Sequence, residues 1–244
     1  MNKLVKYDLK ANKGFIKNIL ILQIILLGLS FLGHGFLSNS YLTNPVFANG
    51  IFTLSILFFV IINLIYMVKI LSFDFKSEST ILKFSLPYVQ NKSIGAKIIN
   101  LALFYIVNMI FLFIFLWALK YKISSDIIYF LAIGLIWLLI CASLVYFFMQ
   151  INRFKQKSSY KVYGFLIILA IFGLGFISLK YFSFVLVNGA IQHAGAMNYA
   201  FIFPFAVGAM DLYKNISPMV YYFIVLLVVI FINKKNMENN IDLS

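Results

Sequence analysis

SESTILKFSLPYVQNKSIGAK, residues 77–97, lies between two long apolar runs, yet it carries three lysines, a glutamate, a proline and a cluster of small polar residues. Its surroundings explain it. Of 244 residues, 63% are hydrophobic and only 11% are charged. A soluble domain carries about a quarter charged residues. No globular core hides this much apolar side chain, so lipid is the solvent for most of the chain. Residues 77–97 then read as a polar excursion out of a membrane, between two spans.

Six apolar runs have the ~20 residues needed to cross a ~30 Å hydrocarbon core. They are Phe15–Leu37, Ile51–Leu71, Ile98–Leu119, Ile127–Ile151, Val162–Val187 and Ile216–Asn233. Five or seven spans are the alternatives. Basic residues set the orientation. With the N-terminus inside, sixteen face the cytoplasm, and only Lys120, Lys122, Lys180 and Lys214 face outward. Lysine and arginine favour the inner side, so both termini are expected in the cytoplasm. The net charge of +13 falls in short clusters between spans, not on one folded face, and no nucleic-acid partner is expected.

Residues 1–17 carry a comb of lysines, with the elbow helix expected over 1–14. Lys3, Lys6, Lys10, Lys13 and Lys17 recur at steps of three and four, which keeps them on one helical face. Leu4, Val5 and Leu9 fall elsewhere on the cylinder. This spacing predicts an amphipathic helix in the inner interface, apolar side down, with the lysines anchoring it to anionic headgroups at about 1 kcal/mol each. Gly14 is the expected bend into the first span.

In the opening stretch, Ser77 or Ser79 caps a short expected helix through Ile81, Leu82 and Phe84. Pro87 ends it by forcing Leu86 out of helical geometry. Asn91 or Ser93 then starts the helix that becomes span three. The apolar tip is either a docking knuckle for a partner or a loop dipping into the interface.

The segment Asp74–Lys97 resembles the coupling stretch of ABC-2 type ABC transporter permeases. An acidic–aromatic–Lys start is followed by Ser-Thr, an apolar stretch ending Ser-Leu-Pro, a basic residue and Gly-Ala-Lys. Ser79 stands where glycine is common, and Tyr88-Val89-Gln90 where a Val-Ser-Arg type of sequence is common. The six-span layout and the elbow helix are similar as well. The resemblance implies an all-α membrane protein with a cytoplasmic coupling helix in residues 72–97. Glu78 and Thr80 would flank it, Ile81, Leu82, Phe84 and Leu86 would dock, and Pro87 would set the exit angle. Lys92 and Lys97 would anchor span three at headgroups. It further implies a cytoplasmic ABC ATPase partner that holds ATP and Mg, and a second permease copy or sister permease.

No phosphate loop, H-E-x-x-H or paired-cysteine motif occurs, so no catalytic or metal site is expected in this chain. Cys141, the lone cysteine, excludes an internal disulfide. His34 and His193 are too isolated to suggest a metal site. None of the seven carboxylates falls in the middle of a span, which argues against intrinsic ion coupling. Polar residues inside the runs are few. Gln23, Asn63, Tyr66 and Asn108 are the candidate translocation path, with helix–helix bonding as the alternative use. Residues 188–215 are apolar but broken by Gly189, Gly195, Pro204 and Gly208, and are expected to form short re-entrant outer helices. The functions that fit are an exporter subunit for an amphipathic peptide, one for lipids or drugs, or an immunity-type protein that captures a toxic peptide without pumping it.

Overall fold

Length and apolarity make most of this chain helical. The structure, a computed structural model, describes residues 2–36, 45–76, 87–118, 123–154, 182–193, 200–202, 205–208 and 211–241. Between 162 and 177 it also describes residues 162, 164, 166, 167, 169–171, 173–175 and 177, all helical. The labelled helices are α1 (Asn2–Ala11), α2 (Lys13–Phe36), α3 (Pro45–Lys76), α4 (Pro87–Ala118), α5 (Ser125–Phe154) and α6 (Ile216–Ile241). Five short strands lie between the 162–177 segment and α6: β1 (Phe184–Val187), β2 (Ala190–His193), β3 (Ala200–Ile202), β4 (Phe205–Gly208) and β5 (Asp211–Asn215).

Among the described residues, four helices are long and apolar enough to cross a membrane: α3 over Thr53–Ser72, α4 over Ser93–Ala118, α5 over Ser125–Met149 and α6 over Ile216–Lys235. A fifth span follows if α1 and α2 count as one broken element. Their side chains are distributed as lipid demands. Along α3, Leu57, Ile61, Leu64, Ile65 and Val68 are exposed, while Asn63 and Tyr66 are buried. In α4, Leu103, Ile106, Val107 and Ile110 are exposed, while Lys97, Asn100 and Asn108 are buried. Water would reverse this order; hydrocarbon rewards it, because polar groups are satisfied only inside.

The chain divides into two compact units, Met1–Phe84 with Gly95–Ile127, and Ser85–Ile94 with Ile128–Ser244. In the first, α1 and α2 meet at 66°. The break falls at Asn12, not at the expected Gly14, which lies within helical α2. The Asn12 backbone N–H donates to the Asp8 carbonyl at 3.1 Å, and its side-chain amide donates to the same oxygen at 2.9 Å. Asparagine side chains bond locally to backbone in this way and so favour turns.

Pro87 opens α4, so the helix of the third span begins there and not at Asn91 or Ser93. Pro45 likewise opens α3. Proline suits a first helical position, where its missing N–H would have no partner and its ring presets φ. The apolar run Val162–Val187 is not helical to its end, because residues 184–187 are strand.

In the second unit the expected re-entrant helices are replaced by an antiparallel sheet of order β2-β1-β5-β4-β3. Phe184 pairs with His193 and Val187 with Ala190. The turn is Asn188-Gly189, with φ of 49° and 81°. Two consecutive positive φ values are what a two-residue hairpin needs, and Asn-Gly supplies them at least strain. The sheet satisfies its backbone between strands; Gly189 lies in the turn and Gly208 at the end of β4. Val185 and Ala206 are its buried centre, with Val187 and Tyr213 against them. Two glycines bring the 162–177 helical residues close to their neighbours. A Cβ at Gly164 would lie 2.5 Å from the Phe148 ring, and one at Gly175 would lie 2.8 Å from the Tyr222 hydroxyl.

Candidate functional site

Three amides that lie far apart in sequence meet inside the first unit. Gln23 on α2 donates through Nε2 to Asn108 Oδ1 on α4 at 2.7 Å. Asn108 Nδ2 donates to Asn63 Oδ1 on α3 at 3.1 Å. Asn63 Nδ2 donates to the Phe59 carbonyl one turn back, at 2.8 Å. All three side chains are buried, at 8%, 1% and 2% exposure. The side chains around them are mostly apolar, and the three amides bond to one another across the helices.

The direction of this chain of bonds is fixed at one end. A backbone carbonyl can only accept, so Asn63 must present its NH₂ to Phe59 and its oxygen to Asn108. Asn108 must then present its oxygen to Gln23, and Gln23 presents its NH₂. Gln23 Oε1 is left as a buried acceptor with no hydrogen-bond partner among the described residues.

Gln23 and Asn108 also border a cavity of about 350 Å³. Gln23 and Asn108 supply its polar side, with Ser55 on α3. Phe58, Phe111 and Phe115 dominate the rest, with leucines from all three helices, and among the described residues no charged side chain lines it. Of the four expected path residues, the structure thus brings together Gln23, Asn63 and Asn108. Tyr66 stands apart. Its ring stacks on Phe104 at 3.9 Å and lies 6.0 Å from Phe15, toward the elbow.

At the elbow, the lysine comb has the expected exposure: Lys3, Lys6, Lys10, Lys13 and Lys17 are all exposed. The opposite face is not turned wholly to lipid. Leu4, Val5 and Leu9 are half-buried and Asp8 is buried. Asp8 pairs with Lys97 Nζ at 3.1 Å, and Asn100 Nδ2 donates to the Val5 carbonyl at 3.4 Å. Residues 5 and 8 on α1 thus meet residues 100 and 97 on α4, one turn apart on each helix. Lys97 is fully buried and is not a headgroup anchor. A charge at that depth needs a counter-charge, and the pair supplies it. Lys69, also at this end, sits 4.1 Å over the Phe15 ring, a cation–π contact. The sequence marks Asp8 as one of only seven acids, but it does not show which base answers it.

The docking residues Glu78, Thr80, Ile81, Leu82, Phe84 and Leu86 lie outside the described residues; Pro87 is described as the first residue of α4. In the second unit, Asn215 is fully buried, and its Nδ2 donates to Ser183 Oγ at 2.7 Å. Its Oδ1 accepts from the Ser217 backbone N–H at 3.2 Å, an N-cap for α6. The Asn215-Ile216-Ser217 sequon is therefore used up structurally. His193 packs edge-on to Phe184. Among the described residues no group of three or more His, Cys, Asp or Glu could hold a metal.

Fold and site together define a mainly helical membrane protein with a largely apolar cavity, bordered by two amides, in its first unit. No family model, curated protein or solved structure matches this chain.

Proposed function

We propose that this chain is the membrane permease subunit of an ATP-driven exporter. It moves an apolar or amphipathic cargo, with an amphipathic peptide as the first choice. The observation that carries this reading is the elbow. A lysine-combed helix bends by 66° into the next helix and is tied by the Asp8–Lys97 pair to the foot of α4. The foot of α4 follows directly on residues 77–86, the stretch that resembles a coupling helix. A push on that stretch would reach both α4 and the elbow through one buried contact. A cavity wall of phenylalanine and leucine with neutral amides supports an apolar or amphipathic cargo.

In this reading the chain has six spans, both termini lie in the cytoplasm, and the chain resides in the cell membrane. ATP and Mg bind on a separate cytoplasmic ABC ATPase, and a second permease copy completes the route. The chain itself is not an enzyme. A second reading, capture of an amphipathic toxin without pumping, is favoured by the same cavity and needs no motor.

Affinity purification from native membranes separates the two. The exporter reading expects an ATPase to co-purify, and expects Leu82→Asp with Phe84→Asp to abolish that association without loss of membrane insertion. Retention of the ATPase by the double variant would sink the docking assignment. Cysteines at positions 38 and 158 should label from opposite sides of the membrane.

A further inference from the structure

We infer that the β1–β2 hairpin is a lipid-binding element. Its open face, formed by Phe184, Leu186 and Ile191, lies against the phospholipid leaflet at the start of α6, where headgroups give way to acyl chains. This goes beyond the exporter reading and does not depend on it; it needs only that α6 crosses the membrane.

Strand pairing fixes which residues share that face. Phe184 stands opposite His193 and Leu186 opposite Ile191, and opposed residues in a sheet point to the same side. Val185 and Val187 alternate to the other side, where they pack with Ala206 and Tyr213. Lys214 opposes Leu186 and Phe205 opposes Lys214, so the first face continues across β5 to β4. There it is covered, with the Phe205 ring 5.5 Å from that of Tyr129 on α5. Over the hairpin it is open: Phe184, Leu186 and Ile191 are 41%, 38% and 63% exposed. An apolar face left open in this way marks contact with a membrane or a partner.

The neighbouring helix decides between the two. The Phe184 N–H donates to Ser217 Oγ at 2.8 Å, and that hydroxyl donates to the Phe182 carbonyl. Ser217 lies in the first turn of α6. Val220, Ile224, Leu227 and Phe231 follow it at steps of three and four, on one helical face. All four are exposed, and α6 is apolar enough to cross a membrane, so that stripe meets acyl chains. The strand that carries Phe184 is therefore bonded to the head of a lipid-facing stripe, and exposed Phe182 extends it. The four residues of β1 reach about 10 Å from end to end at ~3.4 Å per residue. A headgroup layer is about 5–8 Å deep, so the whole hairpin stays near it.

Backbone and polar side chains limit its depth. Among the described residues β2 has no strand on its other side, and the Asn188-Gly189 turn is exposed. Unpaired N–H and C=O groups are costly in hydrocarbon. Edge and turn therefore stay among headgroups and water, and His193 and Lys214 hold the same face at that level. Only Phe184, Leu186 and Ile191 reach the acyl boundary, as in an interfacial amphipathic element.

The test uses the full chain in phosphatidylcholine nanodiscs. Cys141→Ala removes the lone native thiol, and Ile191→Cys or Ala190→Cys then carries a nitroxide. Both positions are exposed, but Ala190 opposes Val187 and so points to the other side of the sheet. Collisions with oxygen, which concentrates in lipid, are compared with collisions with a water-soluble nickel complex. The oxygen-to-nickel ratio should be several-fold higher at 191 than at 190. In parallel, the unmodified chain is irradiated with phosphatidylcholine that bears a diazirine close to the glycerol. Label is expected on the peptide that holds Phe182–Ile191.

Nickel favoured at both positions would mean that the hairpin projects into water, and would overturn the proposal. Shielding of 191 from both reagents would overturn it in favour of a protein cover, such as a second copy of this chain. Oxygen favoured equally at both would remove the distinction between the two faces and sink it as well. Lipid label found on α6 but absent from the hairpin has the same force, and because that measurement needs no variant, a misfolded cysteine variant does not rescue the idea. None of these outcomes bears on whether an ATPase co-purifies, so the exporter reading stands or falls separately.

Discussion

The two units bury the same kinds of polar residue and use them differently. In the first, buried side chains answer other buried side chains on different helices: Gln23 to Asn108 to Asn63, and Asp8 to Lys97. In the second, Asn215 and Ser183 also answer each other, but several groups answer backbone: buried Asn233 donates to the Ser143 and Val229 carbonyls, and half-buried Tyr221 and Tyr129 donate to the Ile171 and Asn215 carbonyls. The difference concerns what is left behind when one partner is lost. A helix carbonyl keeps its own N–H partner. A buried amide or ammonium that loses its side-chain partner has nothing, and the full desolvation penalty falls due. The first unit should therefore be the brittle one.

The elbow pair is the most severe test. Asp8→Asn leaves the Lys97 ammonium buried without its carboxylate, which should destabilise the protein by about 3–5 kcal/mol. Asp8→Asn with Lys97→Met removes both charges and should recover most of that loss. Reversible unfolding in detergent, followed by circular dichroism, reads both. If the double variant is no more stable than the single one, the pair is not what holds α1 to α4.

Asn108→Leu ranks next. It strands Gln23 Nε2 and Asn63 Oδ1 together, with an expected loss of about 2 kcal/mol. The neutral network should be less costly to break than the ion pair, because no charge is exposed to hydrocarbon. A loss equal to that of Asp8→Asn would mean that charge is not the deciding factor.

These ranks could not be read from the sequence, although their ingredients could. Gln23, Asn63 and Asn108 stand out because an amide in an apolar run must face inward. Their order in a chain needs three helices in register, which no spacing within one helix reveals. Lys97 at the headgroups is what the resemblance implies, and a lysine at a span edge can snorkel there. Only the approach of α1 shows it to be buried. The elbow was legible from its lysine steps, but its hinge was not: Asn12 competes with Gly14, and the winner is the residue whose side chain can bond back to Asp8. Residues 184–193, FVLVNGAIQH, did contain a signal. Asn-Gly between two apolar stretches marks a hairpin. It was masked because both sides of the strands are apolar, so the alternation that distinguishes a strand is weak, and glycines nearby suggested a broken helix.

That hairpin supplies the third comparison. Gly189→Ala meets no neighbour, since a Cβ there has open space around it. The whole penalty is backbone, at φ of 81°, and should be about 1 kcal/mol. The same unfolding measurement reads it. A larger loss would show that the sheet depends on this turn more than on its strand pairing.

The smallest effect is expected at Asn233, and it probes the comparison most sharply because it repeats the substitution made at Asn108. Asn233 is fully buried on α6, and its Nδ2 lies 2.9 Å from the Ser143 carbonyl and 3.0 Å from that of Val229. Both oxygens lie within helices whose own ladders supply N–H donors. Asn233 Oδ1 has no partner among the described residues. Asn233→Leu therefore strands nothing and removes an acceptor that was already unmet, while the apolar side chain gains from its surroundings. The stability change should be about 0.5 kcal/mol or less, in either direction. Two Asn→Leu changes at equally buried positions should thus differ by more than a kilocalorie per mole, on the sole ground that one partner is a side chain and the other is backbone. Equal losses at Asn108 and Asn233 would mean that burial of the amide, and not the identity of its partner, sets the energy.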